Sequence, residues 1–419
     1  MTTQTPFQDL IRVFGRIGLL SFGGPAAQIA LMHKELVETR VWLSERQFLS
    51  ALSFCMLLPG PEAMQLATYA GWRLRGVAGG LIAGGLFVLP GAAVILALAA
   101  LYASFGQLPL VEAVFLGIKA AVIIIVIQAL VKLSKRALTS WLAYGVAAAG
   151  FLALFVFQLP FPLVILAAAA IGAMFMAGDP PQEALPPVSG KATLGTVLVF
   201  GALWLLPLAV LWLLAPASLL AEIGLFFSKL AIVTFGGAYA VLAYMVQEVV
   251  GQYGWLTTGQ MMDALGLAET TPGPLILVTE FVGFLAGAAQ GGVWLGVAAA
   301  IVTLWVTFMP CFLWIFAGAP YVEWISHQAR LTGALNAITA AVVGVIANLS
   351  LWFALHVWFG QVGRIGEQHF GLWWPVADSL NISALALSGL AAYLLMWRKL
   401  DLVLVLASLA ACGAGLSLI

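Results

Sequence analysis

Two short motifs rich in glycine and proline occur twice in this chain at one constant separation. Phe22-Gly23-Gly24 returns as Phe235-Gly236-Gly237, and Pro59-Gly60-Pro61 returns as Pro272-Gly273-Pro274, each 213 residues later. Further identities keep the same offset: Phe14/Phe227, Glu35/Glu248, Trp42/Trp255, Leu43/Leu256 and Gln47/Gln260. Chance pairing of glycines and prolines does not hold one offset over about 50 residues. The repeat therefore predicts two homologous halves.

Composition places this repeat in a membrane. Of the 419 residues, 63% are hydrophobic and only 8% are charged, whereas soluble domains carry about 25% charged residues. The lipid bilayer is therefore the predicted partner of most of the surface. The net charge of zero gives no electrostatic reason to expect a nucleic-acid partner. The three cysteines are scattered, and neither they nor the histidines have metal-ligand spacing, so no metal site and no cofactor is predicted.

Apolar stretches of the length of a bilayer predict nine full membrane spans. They cover 76–103, 109–131, 140–157, 160–177 and 193–215 in the first part, and 291–318, 333–358, 377–397 and 402–419 in the second. Four more apolar segments, 7–32, 47–72, 218–247 and 260–287, are interrupted by glycine and proline, which favour turns and stop helices. These four are predicted to be re-entrant hairpins or broken helices; ordinary kinked spanning helices are the alternative.

The basic residues predict that the two halves are inverted. Three loops of the first half are basic, through Lys34, Arg40 and Arg46, then Arg73 and Arg75, then Lys132, Lys135 and Arg136, and the equivalent second-half loops carry no Lys or Arg. The positive-inside rule places the basic loops and the N-terminus in the cytoplasm. The predicted fold is thus an all-α polytopic membrane protein built as an inverted-topology repeat. Its parts are residues 1–178, a polar linker 179–192, and residues 193–419.

The broken segments are also the predicted substrate site. A helix that starts just after a break leaves backbone N–H groups unpaired and directs a partial positive charge into the site, so paired breaks favour an anion. The predicted substrate-binding residues are Gly23, Gly24, Pro59, Gly60, Pro61, Gln65, Lys119, Gly236, Gly237, Thr271, Pro272, Gly273 and Pro274.

Embedded charges add candidates for substrate binding or coupling. Arg16 and Lys229 occupy one repeat position, early enough in their segments for their side chains to reach the membrane interface instead. Lys119 lies in the middle of the 109–131 span, where a cation is a functional candidate by default. Glu62, Glu269 and Glu280 are expected either to bind a proton or to form structural ion pairs with these three cations.

The long motifs resemble those of the long-chain chromate ion transporter family. The resemblance rests on Phe22-Gly23-Gly24-Pro25-Ala26-Ala27-Gln28-Ile29-Ala30, Leu57-Leu58-Pro59-Gly60-Pro61-Glu62, Thr234-Phe235-Gly236-Gly237-Ala238-Tyr239, Gly266-Leu267-Ala268-Glu269-Thr270-Thr271-Pro272-Gly273-Pro274, Gly117-Ile118-Lys119-Ala120-Ala121 and Ala337-Ile338-Thr339-Ala340-Ala341. It covers nearly the whole chain. Met64 and Glu280 stand where many members have glutamine.

The resemblance implies an inner-membrane exporter of chromate, a divalent tetrahedral oxyanion, that confers chromate resistance. The membrane potential, with or without a coupled proton, is the expected driving force, because no ATP-binding motif is present. Sulfate transport and a passive oxyanion channel are the alternatives, and a homodimer is left open. An intramembrane enzyme is not expected, because the sequence lacks HExxH and paired aspartates.

Overall fold

The computed structural model describes residues 5–22, 24–176, 190–235, 238–322, 328–367 and 370–417. In chain order the α-helices are α1 Phe7–Leu20, α2 Gly24–His33, α3 Glu45–Leu57, α4 Glu62–Phe105, α5 Pro109–Ala137, α6 Trp141–Phe155, α7 Phe161–Phe175, α8 Gly190–Leu214, α9 Leu219–Val233, α10 Ala238–Val246, α11 Thr258–Thr270, α12 Val278–Gly318, α13 Ala329–Trp358, α14 Ile382–Ala392 and α15 Leu402–Leu416. Short π-helices cover Lys34–Thr39, Gln247–Gln252 and Tyr393–Trp397, and 3-10 turns cover Leu275–Leu277, Ala319–Tyr321 and Ala377–Ser379.

All four segments that were predicted to be broken are interrupted in the structure. Helix ends at Leu20, Leu57, Val233 and Thr270 are each followed by described residues that are not helical, namely 21–22, 58–61, 234–235 and 271–274. Proline or glycine lies in or beside each gap, where it removes a backbone donor or permits a turn. That the segments are re-entrant, entering and leaving on one side of the membrane, stays a prediction.

Helices α4 and α12 each reverse direction at a glycine. In α4 the backbone leaves helical geometry at Arg75 and Gly76, and in α12 at Gly291 and Gly292. Beyond Gly76 the chain folds back, so that a Cβ on Gly71 would collide with the carbonyl oxygen of Gly79. The 44 residues of α4 are thus two antiparallel helices, and the second begins where a membrane span was predicted to begin.

The described residues form two compact units, each assembled from separate stretches of the chain. The first unit takes those of 1–100, 179–238 and 271–329, and the second those of 101–178, 239–270 and 330–419. In the first unit α12 packs on α8 and α9. Two tryptophan side chains make hydrogen bonds between these helices. The indole N–H of Trp204 on α8 donates to Ser228 Oγ on α9 at 3.0 Å, and that of Trp305 on α12 donates to the Leu203 carbonyl oxygen on α8 at 3.0 Å.

In the second unit α5 is the central helix, and it packs on α11, α14 and α15. Glycines let α5 and α15 approach closely: a Cβ on Gly117 would overlap the Leu409 carbonyl, and one on Gly413 would overlap that of Ala113. Such small-residue contacts are a common way for helices to associate in lipid, where the hydrophobic effect between helices is absent. They hold α5 firmly against its neighbours.

A β-hairpin is added to the helical fold. Strands β1 Val362–Glu367 and β2 Phe370–Pro375 pair antiparallel, with Val362 opposite Pro375 and Ile365 opposite Leu372. The hairpin lies between α13 and α14 in the sequence, in the stretch that separates two predicted spans.

Length and composition identify five membrane-capable helices among the described residues: Glu62–Phe105, Pro109–Ala137, Thr193–Leu214, Leu275–Tyr321 and Ala329–Trp358. Helices α6 and α7 have 15 residues each, or about 22 Å at the α-helical rise, against about 30 Å for the hydrocarbon core. The chain is a multi-pass membrane protein, and the count of nine full spans stays a prediction. Most of the predicted linker, 179–192, lies outside the described residues.

Candidate functional site

Two equivalent backbone hydrogen bonds connect the Pro-Gly-Pro turns to the helix breaks of the opposite half. The Gly60 N–H donates to the Thr234 carbonyl oxygen at 2.9 Å, and the Gly273 N–H donates to the Ser21 carbonyl oxygen at 2.9 Å. The two donor residues are 213 residues apart, and so are the two acceptor residues. The repeat therefore relates one hydrogen bond to the other. These two hydrogen bonds bring both turns and both helix breaks together in the first unit.

Glycine is required at both turns because the backbone takes positive φ there. Gly60 has φ +120° and Gly273 has φ +90°, values that side chains with a Cβ rarely adopt. The N–H groups of these two glycines are used in the exchanged bonds. An anion at this site would therefore be held by other donors, and the amides in the first turn of the helix that follows offer them.

A buried glutamine fixes each turn. Gln65 Nε2 donates to the Pro59 carbonyl oxygen at 2.7 Å, and Gln28 Nε2 donates to the Gly273 carbonyl oxygen at 2.7 Å. Both glutamines come from the first half, since the repeat-equivalent positions hold Val278 and Val241. The backbone of the two turns is therefore symmetric, and the side chains that support it are not.

A small cavity lies between the two turns. It is lined by Pro25, Gln28, Pro61, Glu62, Ala63, Pro274 and Leu275. Glu62 is the first residue of α4, so the positive end of that helix faces the cavity. At the equivalent point beyond the second turn stands Leu275, the first residue of a 3-10 turn. The cavity combines a helix N-terminus, which attracts an anion, with a carboxyl group, which repels one when it is ionised.

Several predicted site residues lie at or near this cavity. Pro61 and Pro274 line it, and Pro59, Gly60, Pro272 and Gly273 form the turns behind them. Thr271 is buried at the start of the second turn, and Gly24 is the first residue of α2. Gln65 supports the first turn without lining the cavity. Gly23, Gly236 and Gly237 lie outside the described residues.

Lys119 lies in the second unit and has a carboxylate partner. Its Nζ is 2.8 Å from Asp263 Oδ1, and the hydroxyl of Tyr102 donates to Asp263 Oδ2 at 2.7 Å. The Lys119 and Asp263 side chains are only 17% and 9% exposed. The expectation that Lys119 would pair with Glu62, Glu269 or Glu280 is therefore wrong, because α11 presents Asp263 to α5 at that level.

Two of the predicted acids, Glu269 and Glu280, form no salt bridge with any of the described residues. Glu269 Oε1 accepts a hydrogen bond from the Tyr239 hydroxyl at 2.8 Å. Glu280 is buried in α12, and its Oε2 has no hydrogen-bond partner within the described part of the chain. A buried carboxylate without a cation is costly by several kcal/mol. These two acids are therefore suited to holding a proton.

The two cations at the shared repeat position lie towards the surface. Arg16 is 64% exposed, and its Nη1 is 3.4 Å from Glu35 Oε1, while Arg40 lies 3.9 Å from the second oxygen of that carboxylate. Lys229 is exposed on α9. The expected pairing of Arg16 with Glu62, Glu269 or Glu280 is wrong, because Glu35, just beyond α2, is the acid within reach.

Sequence reasoning missed two residues of this arrangement. Gln28 belongs to the first motif but was not predicted as a site residue, yet it supports the second turn and lines the cavity. Asp263 belongs to no paired motif, yet it neutralises Lys119. A signal for Asp263 was present, because it is a charged residue within the apolar run Met261-Met262-Asp263-Ala264-Leu265. No cluster of three or more His, Cys, Asp or Glu that could hold a metal is found in the described part of the chain.

Comparison with known proteins gives a consistent result over most of the chain. The family model described as chromate transporter matches residues 8–173 and 221–416. A probable chromate transport protein of Synechococcus elongatus is 32% identical over 81% of this chain and 83% of its own length. Chromate transport proteins of Cupriavidus metallidurans and Pseudomonas aeruginosa are each 31% identical, over 81% and 82% of this chain and 81% and 80% of their own lengths. No solved structure shows significant similarity to the chain.

Proposed function

This chain belongs to the chromate transporter family, and from that premise we propose that it exports chromate across the inner membrane and thereby confers chromate resistance. The cavity between the Pro-Gly-Pro turns is the substrate site. The observation that carries the proposal is the pair of exchanged hydrogen bonds, Gly60 to Thr234 and Gly273 to Ser21. They bring two helix breaks together at a cavity that opens on the N-terminus of α4.

The backbone around the cavity suits an oxyanion once the cavity, which at about 10 Å³ holds about one water, widens to admit it. The N–H groups in the first turn of α4 have no intrahelical acceptor. The helix dipole adds a partial positive charge of about half an elementary charge at the N-terminus of α4. Both favour a small tetrahedral anion without a cationic side chain in contact. Pro25, Pro61 and Pro274 give the cavity rigid walls.

The carboxyl group of Glu62 gives this site a means of coupling to protons. When ionised it repels an anion in the same cavity, and when protonated it supplies a hydrogen-bond donor. Binding of the anion is therefore linked to uptake of a proton at Glu62. Glu269 and Glu280, which form no salt bridge with the described residues, are further positions where a proton is held.

The membrane potential supplies the driving force. With the inside negative, it favours expulsion of an anion by about 2.3 kcal/mol per charge per 100 mV. Efflux of chromate therefore runs downhill electrically without ATP.

The chain is oriented with its N-terminus in the cytoplasm, and the two halves are inverted relative to the membrane. The support is the charge of the loops, since Lys34, Arg40 and Arg46 correspond to the uncharged Gln247, Tyr253 and Gly259. The domain boundaries at 178 and 193 are proposed from the polar, linker-like composition of 179–192, which separates the two repeats.

Flux in proteoliposomes tests the function. Purified protein reconstituted with radiolabelled chromate inside should release it faster when the inside is made negative, and vesicles without protein should not. Accumulation of chromate driven by an imposed proton gradient at zero membrane potential separates a coupled transporter from a passive channel, which cannot move the anion against its electrochemical gradient. Equal or faster sulfate flux under the same potential would make sulfate the substrate, and no potential-dependent flux of either anion would reject the proposal.

A further inference from the structure

The amide of Gln28 has one atom that the protein does not satisfy. Its Nε2 donates to the Gly273 carbonyl oxygen at 2.7 Å and lies 3.4 Å from that of Ser21. Because both of these carbonyl oxygens are acceptors, the atom of the Gln28 amide that faces them must be the nitrogen. The orientation of the amide is therefore fixed. Oε1 is then the remaining atom, and it is buried with no hydrogen-bond partner among the described residues, on a residue that is 1% exposed.

A molecule bound in the cavity can supply the donor that this buried acceptor lacks. Gln28 is among the residues that line the cavity, so an anion that widens the cavity between the two turns comes within reach of its amide. A fully deprotonated oxyanion brings only acceptor oxygens and would leave Gln28 Oε1 unsatisfied. An oxyanion that keeps one proton brings an O–H group, and it carries less negative charge beside the carboxyl group of Glu62.

We propose that this cavity selects tetrahedral oxyanions that carry a proton, with Gln28 Oε1 accepting the hydrogen bond from the substrate O–H. The proposal rests on the proposed function and specifies its substrate as hydrogen chromate. Sulfate has the same shape and charge as chromate, but it is the conjugate base of a much stronger acid and is unprotonated near neutral pH. Gln28 is thus a specificity-determining residue that discriminates against sulfate by the absence of a proton rather than by size.

The size of the expected preference for protonated oxyanions over sulfate follows from the cost of leaving a buried polar group without a hydrogen-bond partner. A site built to hydrogen-bond a substrate hydroxyl rejects an analogue without it by up to about 10⁴–10⁵-fold. The cavity is small and partly open, so we expect at least about tenfold. Arsenate and phosphate, which keep a proton at neutral pH, should bind better than sulfate.

Ligand-dependent thermal stabilisation of the purified protein tests this without relying on chromate transport. At pH 7 arsenate should raise the melting temperature at concentrations at least about tenfold lower than sulfate. The apparent affinity for total chromate should weaken as pH rises above neutrality, approaching about tenfold per pH unit, and that for sulfate should stay flat. The same order should appear when arsenate and sulfate compete with chromate flux.

Variants at Gln28 test whether its acceptor atom is responsible. Gln28→Met keeps the length of the side chain but removes the acceptor, so the preference for arsenate over sulfate should fall to near onefold. Gln28→Glu in its protonated form donates to the Gly273 carbonyl oxygen and keeps one acceptor oxygen, so it should retain the preference at a pH low enough to keep that carboxyl group neutral.

Two further variants separate Gln28 from its neighbours. Gln65→Met is the matched control, because Gln65 is also buried with Nε2 on a turn carbonyl and Oε1 unsatisfied, yet it does not line the cavity. It should lower abundance and leave the arsenate preference intact. Glu62→Gln should alter the pH dependence of flux but keep arsenate ahead of sulfate at fixed pH.

Either of two results would overturn the inference. Sulfate stabilising the parent protein as well as arsenate does would show that the cavity does not recognise a proton. An arsenate preference that survives in Gln28→Met, or that disappears in Gln28→Glu at that low pH while that variant still binds anions, would remove Gln28 from the role. Arsenate stabilisation without any chromate flux would instead reject the proposed function and leave the selectivity of the cavity standing.

Discussion

The two Pro-Gly-Pro turns share a backbone and differ in chemistry. Both glycines have positive φ, and both donate to the break in the opposite half at 2.9 Å. Beyond the first turn stands Glu62 at the start of a long helix, and beyond the second stands Leu275 in a 3-10 turn. The repeat keeps the geometry that exposes helix ends, whereas the titratable group is present on one side only. A symmetric scaffold can therefore carry an asymmetric site.

The second unit shows the same asymmetry. Lys119 on α5 pairs with Asp263 on α11 at 2.8 Å, and the positions that correspond to them in the repeated motifs are Thr339 and Ser50. The hydrogen bond from Tyr239 to Glu269 likewise has no counterpart, because alanine and methionine hold the equivalent positions 26 and 56. Each of these two side-chain pairs therefore occurs in only one of the two repeats. The two repeats can differ in function at these positions.

The largest expected effect is an all-or-none difference in labelling between equivalent positions. Arg40→Cys and Tyr253→Cys occupy one repeat position, each at the end of a π-helix. If the halves are inverted, a membrane-impermeant thiol reagent should label one from the cytoplasm and the other from outside, in a background where the exposed Cys412 is replaced. Labelling of both from one side would show that the halves are parallel.

Valine at either turn glycine should abolish transport. Positive φ strains a β-branched residue by about 1–3 kcal/mol. Crowding adds about 1–3 kcal/mol, since a Cβ on Gly60 would lie 2.8 Å from Gln65 Nε2 and one on Gly273 would lie 2.9 Å from Leu277 Cδ1. Membrane abundance and chromate flux measure the effect. Equal losses would support equivalent turns, and a loss at Gly60 alone would restrict the site to the first half.

Gly254→Val is the matched control for these variants. Gly254 also has positive φ, +62°, but its Cβ would meet nothing within 4 Å. Its repeat-equivalent is Val41, which already holds φ +51°. The control should therefore keep most of its abundance and flux. A collapse as severe as that of Gly60→Val would mean that strain rather than position explains the loss.

Removing Lys119 should destabilise the protein as well as stop transport. Lys119→Ala leaves Asp263 buried without its cation, which costs about 3–5 kcal/mol. The double variant Lys119→Leu with Asp263→Leu removes both charges and should restore abundance. Chromate flux should stay absent in the double variant if the cation serves the anion. Export at the parental rate by the double variant would make the pair purely structural.

The smallest expected effect is a pH dependence confined to the first half. His33, the last residue of α2, has Nε2 2.7 Å from Glu45 Oε2 and Nδ1 3.1 Å from Glu38 Oε1. The hydrogen bond with Glu45 raises the pKa of His33 above its usual 6.5, with a smaller contribution from Glu38. Because the folded pKa is the higher one, the stabilisation is complete below pH 6.5 and disappears as pH rises through the folded value.

Thermal melting across a pH range of about 5.5 to 8 measures this contribution, which is about 0.2–1 kcal/mol for an accessible ion pair. The equivalent second-half positions hold Val246, Gly251 and Thr258, so no matching term is expected there. His33→Gln should flatten the pH dependence, and Glu45→Gln should do so almost as fully. An unchanged melting profile in both variants would show that the pair adds nothing.

Some of the residues that recur in the two halves form local hydrogen bonds that start helices. Ser44 Oγ accepts from the Gln47 N–H and Gln47 Oε1 accepts from the Ser44 N–H, and Thr257 with Gln260 forms the same reciprocal pair. These capping boxes start α3 and α11, which explains why glutamine recurs at 47 and 260. Helix breaks and caps depend on neighbours along the chain, so they were predictable from the sequence.

What the sequence determined alone is therefore local: the apolar helices, the four breaks, and the internal repeat, because hydropathy, proline and glycine act along the chain. Tertiary structure decided the partners. Gly60 finds Thr234, Gln28 finds Gly273, and Lys119 finds Asp263 only when helices far apart in sequence pack together. A hydrogen bond or ion pair depends on distances of about 3 Å. No local pattern of residues specifies such a distance between two positions more than about a hundred residues apart, because it is set by how the intervening helices pack.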